Sequence, residues 1–126
     1  MPEKILILDD EKPILEIMSL FLRRKGNEVS CFSSGTKALE SLRQESEAGV
    51  PYTVAILDVS VPGDRGAREL VGPMKETNPG LKVIISSGDS VEGAMENPSL
   101  YGFSASLKKP FRAADIDKAI EEAKKD

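Results

Sequence analysis

The sequence predicts a doubly wound α/β domain, in which a parallel sheet of five strands is covered by five helices. Short apolar runs alternate with amphipathic segments along the whole chain, which is the order expected of strands and crossover helices. The runs lack a polar face, and this is typical of parallel strands that are buried on both sides. A length of 126 residues fits one such unit, so residues 1–126 are predicted to form a single domain.

The predicted elements follow one another regularly along the chain. The five strands cover residues 4–8, 28–32, 53–57, 83–85 and 103–107. Helices are predicted from Pro13 to before Gly26, from a cap at Ser33 or Ser34 to before Gly49, and over 67–77, 91–97 and 113–124. The fourth helix is the weakest, because Gly93 lowers its helix propensity and Pro98 follows it.

Polar side chains stand at the carboxyl ends of four of the five strands. They are Asp9 and Asp10 after the first strand, Asp58 after the third, Ser87 after the fourth and Lys109 after the fifth. Ligands of doubly wound sheets bind at these strand ends, where the strand order reverses. If the order is 2-1-3-4-5, the first and third strands are neighbours, and the acidic pair lies beside Asp58. The reactive groups are therefore predicted to share one edge of the sheet.

Each of these residues also has an ordinary structural explanation. An acidic pair after a strand often caps a helix or forms a turn, and Asp58 before a Pro- and Gly-containing loop can do the same. Lys109 alone is typical of a solvated surface charge, and Ser87 alone of a loop hydroxyl. Their joint placement at one edge favours a functional site over five independent structural uses.

Composition excludes several classes of function. The net charge is −4 with scattered basic residues, which argues against direct binding of nucleic acid. The apolar runs are too short to span a membrane, and no basic-then-apolar leader precedes them. With no His and a single Cys, Cys31, the chain lacks the usual zinc ligands and an intrachain disulfide, so a cytoplasmic location is expected. Any chemistry must then use carboxylates, Lys, hydroxyls or a hard metal ion.

Four motifs identify a family resemblance that covers essentially the whole chain. They are Leu8-Asp9-Asp10-Glu11, Leu57-Asp58 followed by Pro62 and Gly66, Ser87-Gly88, and Lys109-Pro110-Phe111. In these motifs and their spacing the sequence resembles the receiver domains of response regulators in two-component signalling, which have a flavodoxin-like fold. Segments 61–66 and 101–103 look more like receivers attached to hybrid sensor kinases than like stand-alone regulators.

The resemblance implies a magnesium site. Three carboxylates at one point repel one another unless a cation compensates them, and Mg²⁺ prefers oxygen ligands and keeps several waters. By analogy with the family, Asp10, Asp58 and the main-chain carbonyl of Ser60 bind Mg²⁺ directly, and Asp9 acts on the ion through water. The resemblance also implies a cis peptide bond between Lys109 and Pro110.

The resemblance further implies a phosphorylation-dependent switch rather than an ordinary enzyme. Asp58 is then the phosphoacceptor, and its donor is the phosphohistidine of a histidine kinase or phosphotransfer domain. Lys109 and Mg²⁺ neutralise the phosphoryl oxygens, and the Ser87 hydroxyl turns inward to bind them. The output partner is a downstream effector or a covalently linked kinase.

One position departs from the family pattern. Three residues before the lysine, relatives usually carry Tyr or Phe, whose ring turns inward on activation, whereas this chain has Ser106. Burial of an aromatic ring at that position therefore cannot drive the switch. The response is expected to concentrate in residues 87–97, with smaller changes on the fifth strand.

Three alternatives compete with this interpretation. A receiver fold can serve as a phosphorylation-independent interaction module, but such domains usually lack an acid, the acceptor or the lysine. A haloacid-dehalogenase-type phosphohydrolase has its nucleophile after the first strand with a second Asp two residues later, whereas Asp58 is followed by Val59 and Ser60. A flavin-binding relative needs a phosphate cradle in the first loop, where this chain has carboxylates.

Overall fold

The computed structural model describes residues 2–88 and 93–125. Its strands are β1 (Lys4–Leu8), β2 (Glu28–Phe32), β3 (Val54–Asp58), β4 (Lys82–Ser87) and β5 (Ala105–Lys108). Its helices are α1 (Lys12–Arg24), α2 (Gly35–Glu47), α3 (Ala67–Thr77), α4 (Gly93–Glu96) and α5 (Ala113–Lys124). All strand pairs are parallel, in the order β2-β1-β3-β4-β5. The predicted fold class and strand order are confirmed.

The sheet has a hydrophobic core on each face. Alternate residues of a strand point to opposite faces, so Leu6 and Leu8 join one core while Ile5 and Ile7 join the other. Helices α2, α3 and α4 cover the first face, and α1 and α5 cover the second. Burial on both faces explains why the strands read as continuous apolar runs.

The region after β4 departs from the predicted elements. The helix predicted over 91–97 is present as the single turn Gly93–Glu96, and its first two residues lie outside the described residues. A 3₁₀ helix, Pro98–Tyr101, follows at once, because Pro98 cannot continue the hydrogen bonding of the preceding turn. Gly102 then adopts a positive φ of 90°, and β5 begins at Ala105 rather than at residue 103.

Three strands also extend further than predicted at their carboxyl ends, β5 by the single residue Lys108. β3 includes Asp58, and β4 includes Ser86 and Ser87, which pair with Asp58 and with Lys108 on the neighbouring strands. The polar residues at these ends are thus held by the ladder itself, not by loops. Among the described helices, none combines the length and the apolar character needed to cross a membrane.

Candidate functional site

Three carboxylates converge where β1 and β3 end. Leu8 pairs with Leu57, so Asp9 and Asp10 leave the sheet beside Asp58. One oxygen from each carboxylate lies within 4.8 Å of the other two. Asp9 and Asp58 are buried, whereas Asp10 is exposed at the rim. The cluster therefore has an open side through which a cation or a donor can approach.

Lys109 supplies a positive charge to this cluster. Its Nζ lies 2.7 Å from Asp9 Oδ2, 3.4 Å from Asp58 Oδ2 and 3.5 Å from Glu11 Oε2. Its backbone N–H donates to the carbonyl of Ser87 at 2.9 Å, and the following bond to Pro110 is cis, as the resemblance implied. The shortest ion pair is thus to Asp9, and Glu11 is a fourth acid that the sequence had not assigned to the site.

The electrostatics of Asp58 reflect this crowding. Burial and, next, the negative charge of Asp9 together raise the pKa of the Asp58 carboxyl to about 6, although the Lys109 ammonium opposes the shift. For Lys109, burial acts to lower the pKa, but Asp9 and Asp58 outweigh it and hold the lysine pKa above its ordinary value. One ammonium therefore compensates the acidic cluster only in part.

The two predicted serines lie on either side of Asp58. The Ser60 N–H donates to Asp58 Oδ1 at 3.3 Å, so the main chain at Ser60 is tied to the Asp58 carboxylate. Ser87 is buried at the end of β4, one residue beyond the position that pairs with Asp58. All the residues predicted for the site are thus at one edge of the sheet.

The family model for the response regulator receiver domain matches residues 5–121. The chain belongs to this family. The probable transcriptional regulatory protein TcrX of Mycobacterium tuberculosis is 27% identical over 116 residues, which cover 91% of this chain and 47% of that protein. This receiver domain therefore spans about half the length of that curated relative.

Solved receiver domains have the same fold. A response regulator receiver domain protein from Clostridium thermocellum is 32% identical, with a TM-score of 0.77 over 96% of this chain and 93% of the other. The receiver domain of the sensor histidine kinase PA1611 from Pseudomonas aeruginosa PAO1 has a TM-score of 0.81 at 19% identity over 100% of both chains. That protein was solved with a magnesium ion coordinated in its active site cleft.

Hydrogen bonds to Asp64 hold the loop between β3 and α3, and the sequence had not predicted these contacts. The Asp64 carboxylate accepts hydrogen bonds from Ser34 Oγ at 2.6 Å, from Thr36 Oγ1 at 2.9 Å and from Thr36 N at 3.1 Å, all at the start of α2. The Ser34 hydroxyl and the Arg65 N–H, both donating to Asp64, hold its pKa below the ordinary value. The loop that carries Ser60 is therefore tied to α2.

Two glycines allow this loop to pack closely. A Cβ on Gly35 would overlap the carbonyl of Arg65, and one on Gly66 would overlap the carbonyl of Val59. Some signs of this loop packing are visible in the sequence, since Ser34 and Thr36 stand at a helix start and Gly66 follows Asp58. The pairing with Asp64 still required knowledge of how the two loops meet.

The structure shows the environment of Ser106, the position at which relatives carry Tyr or Phe, and of the aromatic residues that precede it in the sequence. Ser106 lies partly buried on β5, and the nearby Phe103 is fixed in the core at 2% exposure. Tyr101 is 43% exposed, and the Arg68 guanidinium lies 4.7 Å from its ring centroid. Phe103 is therefore already buried, whereas the Tyr101 ring is still partly exposed. The expectation of a small response on β5 stays a prediction.

Proposed function

We propose that this receiver domain accepts a phosphoryl group on Asp58 from a phosphohistidine, with Mg²⁺ bound at the acidic cluster. The observation that carries the proposal is the set of three carboxylate oxygens within 4.8 Å of one another, with the Lys109 ammonium 3.4 Å from Asp58. Family membership supports phosphoryl acceptance as the general activity.

Asp58 is the carboxylate best suited to be the acceptor. Asp9 is engaged by the Lys109 ammonium at 2.7 Å and by the Glu11 N–H at 2.9 Å, so its oxygens are held. Asp10 is exposed. Asp58 Oδ1 accepts a hydrogen bond from the Ser60 N–H, and its Oδ2 lies 3.4 Å from the Lys109 ammonium, a longer contact than the 2.7 Å between Lys109 and Asp9. Oδ2 of Asp58 is therefore held less tightly than Asp9 and is the better nucleophile.

The transfer needs positioning more than covalent assistance. As an Asp58 oxygen bonds to phosphorus, the bond from phosphorus to the imidazole nitrogen breaks and its electron pair returns to the imidazole. Lys109 turns its ammonium from the carboxylates to a phosphoryl oxygen, and the Ser87 hydroxyl donates to another. The product is an acyl phosphate on Asp58.

The donor set fits Mg²⁺. Carboxylate and carbonyl oxygens are the ligands that this ion prefers, and the raised pKa of Asp58 reflects unfavourable negative charge that a divalent ion would relieve. Asp10, Asp58 and the Ser60 carbonyl would hold the ion, with Asp9 acting through water. When bound, Mg²⁺ neutralises charge on the transferring phosphoryl group.

An apolar surface next to Lys109 supports a helical protein as donor. Ile14 and Ile17 of α1 line a groove of about 150 Å³ together with Lys109, Pro110 and Phe111. Ile17 is 67% exposed, and Leu20, one turn further along α1, is 52% exposed. A histidine-bearing helix packed on this α1 surface would bring its imidazole towards the acidic cluster, as expected for a histidine kinase or phosphotransfer domain.

The remaining proposals concern the chain as a whole. We infer that residues 1–126 form one receiver domain, because the family match covers residues 5–121 and both cores run through the sheet. The likeness of segments 61–66 and 101–103 favours a receiver attached to a hybrid sensor kinase over a stand-alone regulator, and a cytoplasmic location is likewise proposed. The residues whose loss would favour a phosphorylation-independent module are all in place, which supports the phosphorylated switch.

The first prediction tests the acceptor. Incubation of the protein with Mg²⁺ and acetyl phosphate should add one phosphoryl group, because Asp58, the acidic pair and Lys109 are together. Intact-mass spectrometry should show this adduct in the parent and in the surface control Asp117→Asn, and not in Asp58→Asn or after chelation of Mg²⁺. Equal labelling of Asp58→Asn and the parent would show that Asp58 is not the acceptor.

The second prediction tests the donor surface. Ile17→Asp should slow transfer from a phosphorylated histidine kinase at least tenfold. The new carboxylate would have to lose its hydration when the donor helix packs on α1. The substitution should leave labelling by acetyl phosphate unchanged. The matched control is Val50→Asp, since Val50 is similarly exposed, at 51%, but follows α2. Equal effects of both substitutions on protein-dependent transfer would exclude docking on α1.

A further inference from the structure

Ser86 has a buried hydroxyl without a partner. The residue lies on β4 and is 2% exposed. Its Oγ is the sole buried side-chain nitrogen or oxygen atom, within residues 2–88 and 93–125, that makes no hydrogen bond. Buried hydroxyls are almost always paired, since an unpaired one has lost its bonds to water and gained none in return. The position therefore needs an explanation.

The strand register places this hydroxyl beside the proposed acceptor. Ser86 pairs with Asp58 on one side and with Leu107 on the other. Paired residues of parallel strands point to the same face, and Ile56 and Ile84, two residues earlier, both lie in the core under α1 and α5. The Ser86 side chain thus leaves the sheet on the same face as that of Asp58.

Lys109 completes this arrangement. It follows Leu107 by two residues, so it starts from the same face, and its ammonium reaches Asp58 Oδ2 and Asp9 Oδ2. In this state the Asp58 carboxylate takes its hydrogen bonds from Ser60 and Lys109, and Ser86 takes no part. The Ser86 hydroxyl is unpaired in the unphosphorylated state and lies beside Asp58, whose hydrogen-bond partners change on phosphorylation. If the hydroxyl gains a hydrogen bond in the phosphorylated state, it stabilises that state relative to the unphosphorylated one.

We propose that Ser86 is a positioning residue for the phosphorylated state, in which its hydroxyl donates a hydrogen bond to the Asp58 carboxyl group. This inference rests on the proposed function, because the bond forms when the Lys109 ammonium turns to the phosphoryl oxygens. Ser86 is then a second hydroxyl at the site, distinct from Ser87. It holds the acceptor side chain while Ser87 binds the phosphoryl group.

Ser86→Ala should weaken binding of the phosphoryl mimic without lowering the stability of the metal-free protein. The melting temperature of the metal-free protein should stay equal or rise, because the substitution removes an unpaired polar atom. The affinity for beryllofluoride in the presence of Mg²⁺, measured by calorimetric titration, should fall about five- to tenfold, as expected for the loss of one hydrogen bond. Ser86→Cys, a near-isosteric weak donor, should lie between parent and Ala in affinity.

Ser30→Ala is the matched control, since Ser30 is a partly buried strand serine on β2, which β1 separates from β3. It should leave the beryllofluoride affinity unchanged. Equal affinities of parent and Ser86→Ala would overturn the role of Ser86 alone. A lower melting temperature of metal-free Ser86→Ala would also overturn it, because the hydroxyl would then already have a partner such as a bound water. Failure of the parent to bind beryllofluoride would instead remove phosphoryl acceptance, and this role with it.

Discussion

Lys109→Met should destabilise the metal-free protein at pH 7.5 by roughly 3 kcal/mol, because it leaves two buried carboxylates without their cation. The lysine side chain is 15% exposed and its partners Asp9 and Asp58 are 2% and 7% exposed, so solvent screens these pairs weakly. A lysine whose pKa is raised by folding contributes stability below its ordinary pKa of 10.5, and this contribution is lost as the pH rises through the folded value. Methionine keeps the apolar stem, so the effect reports charge.

The size of that loss should depend on pH and on metal. Below about pH 6 Asp58 takes up a proton and needs a cation less, so the difference between Lys109→Met and the parent should shrink. Added Mg²⁺ should also reduce it, since the ion replaces the missing charge. Urea denaturation at pH 5 and pH 7.5, with and without Mg²⁺, measures both effects. Lys108→Met, an exposed neighbour on β5, is the control, and an equal loss in both variants would contradict the compensation by Lys109.

Asp58→Asn should stabilise the metal-free protein at neutral pH and flatten its dependence on pH. A carboxyl whose pKa is raised by folding contributes stability below its unfolded pKa of 3.8, and this is lost as the pH rises through about 6. The parent should therefore lose on the order of 1–2 kcal/mol across this window, a value reduced for screening by the solvent that reaches the cluster. Asn carries no charge and should not show the loss.

Thermal unfolding from pH 4 to pH 8 in the presence of a chelator measures this difference. The control is Asp117→Asn, because Asp117 forms an exposed ion pair with Lys25 and is not a member of the acidic cluster. Its pH profile should follow that of the parent. A lower stability of Asp58→Asn than of the parent at pH 7.5 would contradict the crowding of the carboxylates.

The fold could be predicted because each element carries its own signal. The strands are uniformly apolar and stop at Asp9, Asp58 and Lys109, and the parallel arrangement brings these strand ends to one edge. Strand order cannot be read from a single strand, so the family resemblance supplied it. The fourth helix was the weakest prediction because Gly93 and Pro98 compete with helix formation, and the structure keeps only one turn.

Contacts between distant segments could not be predicted in this way. Asp64 binds Ser34 and Thr36 across the gap between two loops, and no local pattern marks that pairing. The preference of Lys109 for Asp9 over Asp58 depends on differences of less than 1 Å at the end of β5. The orphan hydroxyl of Ser86 becomes visible only when the register is known.

Chemical localisation of the phosphoryl group tests most directly whether Asp58 is the acceptor. Borohydride reduces an acyl phosphate to the alcohol, so a phosphorylated aspartate becomes homoserine, while free carboxylates and phosphoserine remain unchanged. The protein is labelled with acetyl phosphate and Mg²⁺, reduced, digested and sequenced by mass spectrometry. We expect homoserine at position 58 and nowhere else. Homoserine at position 9 or 10, or a phosphoryl group retained on Ser87, would contradict acceptance by Asp58.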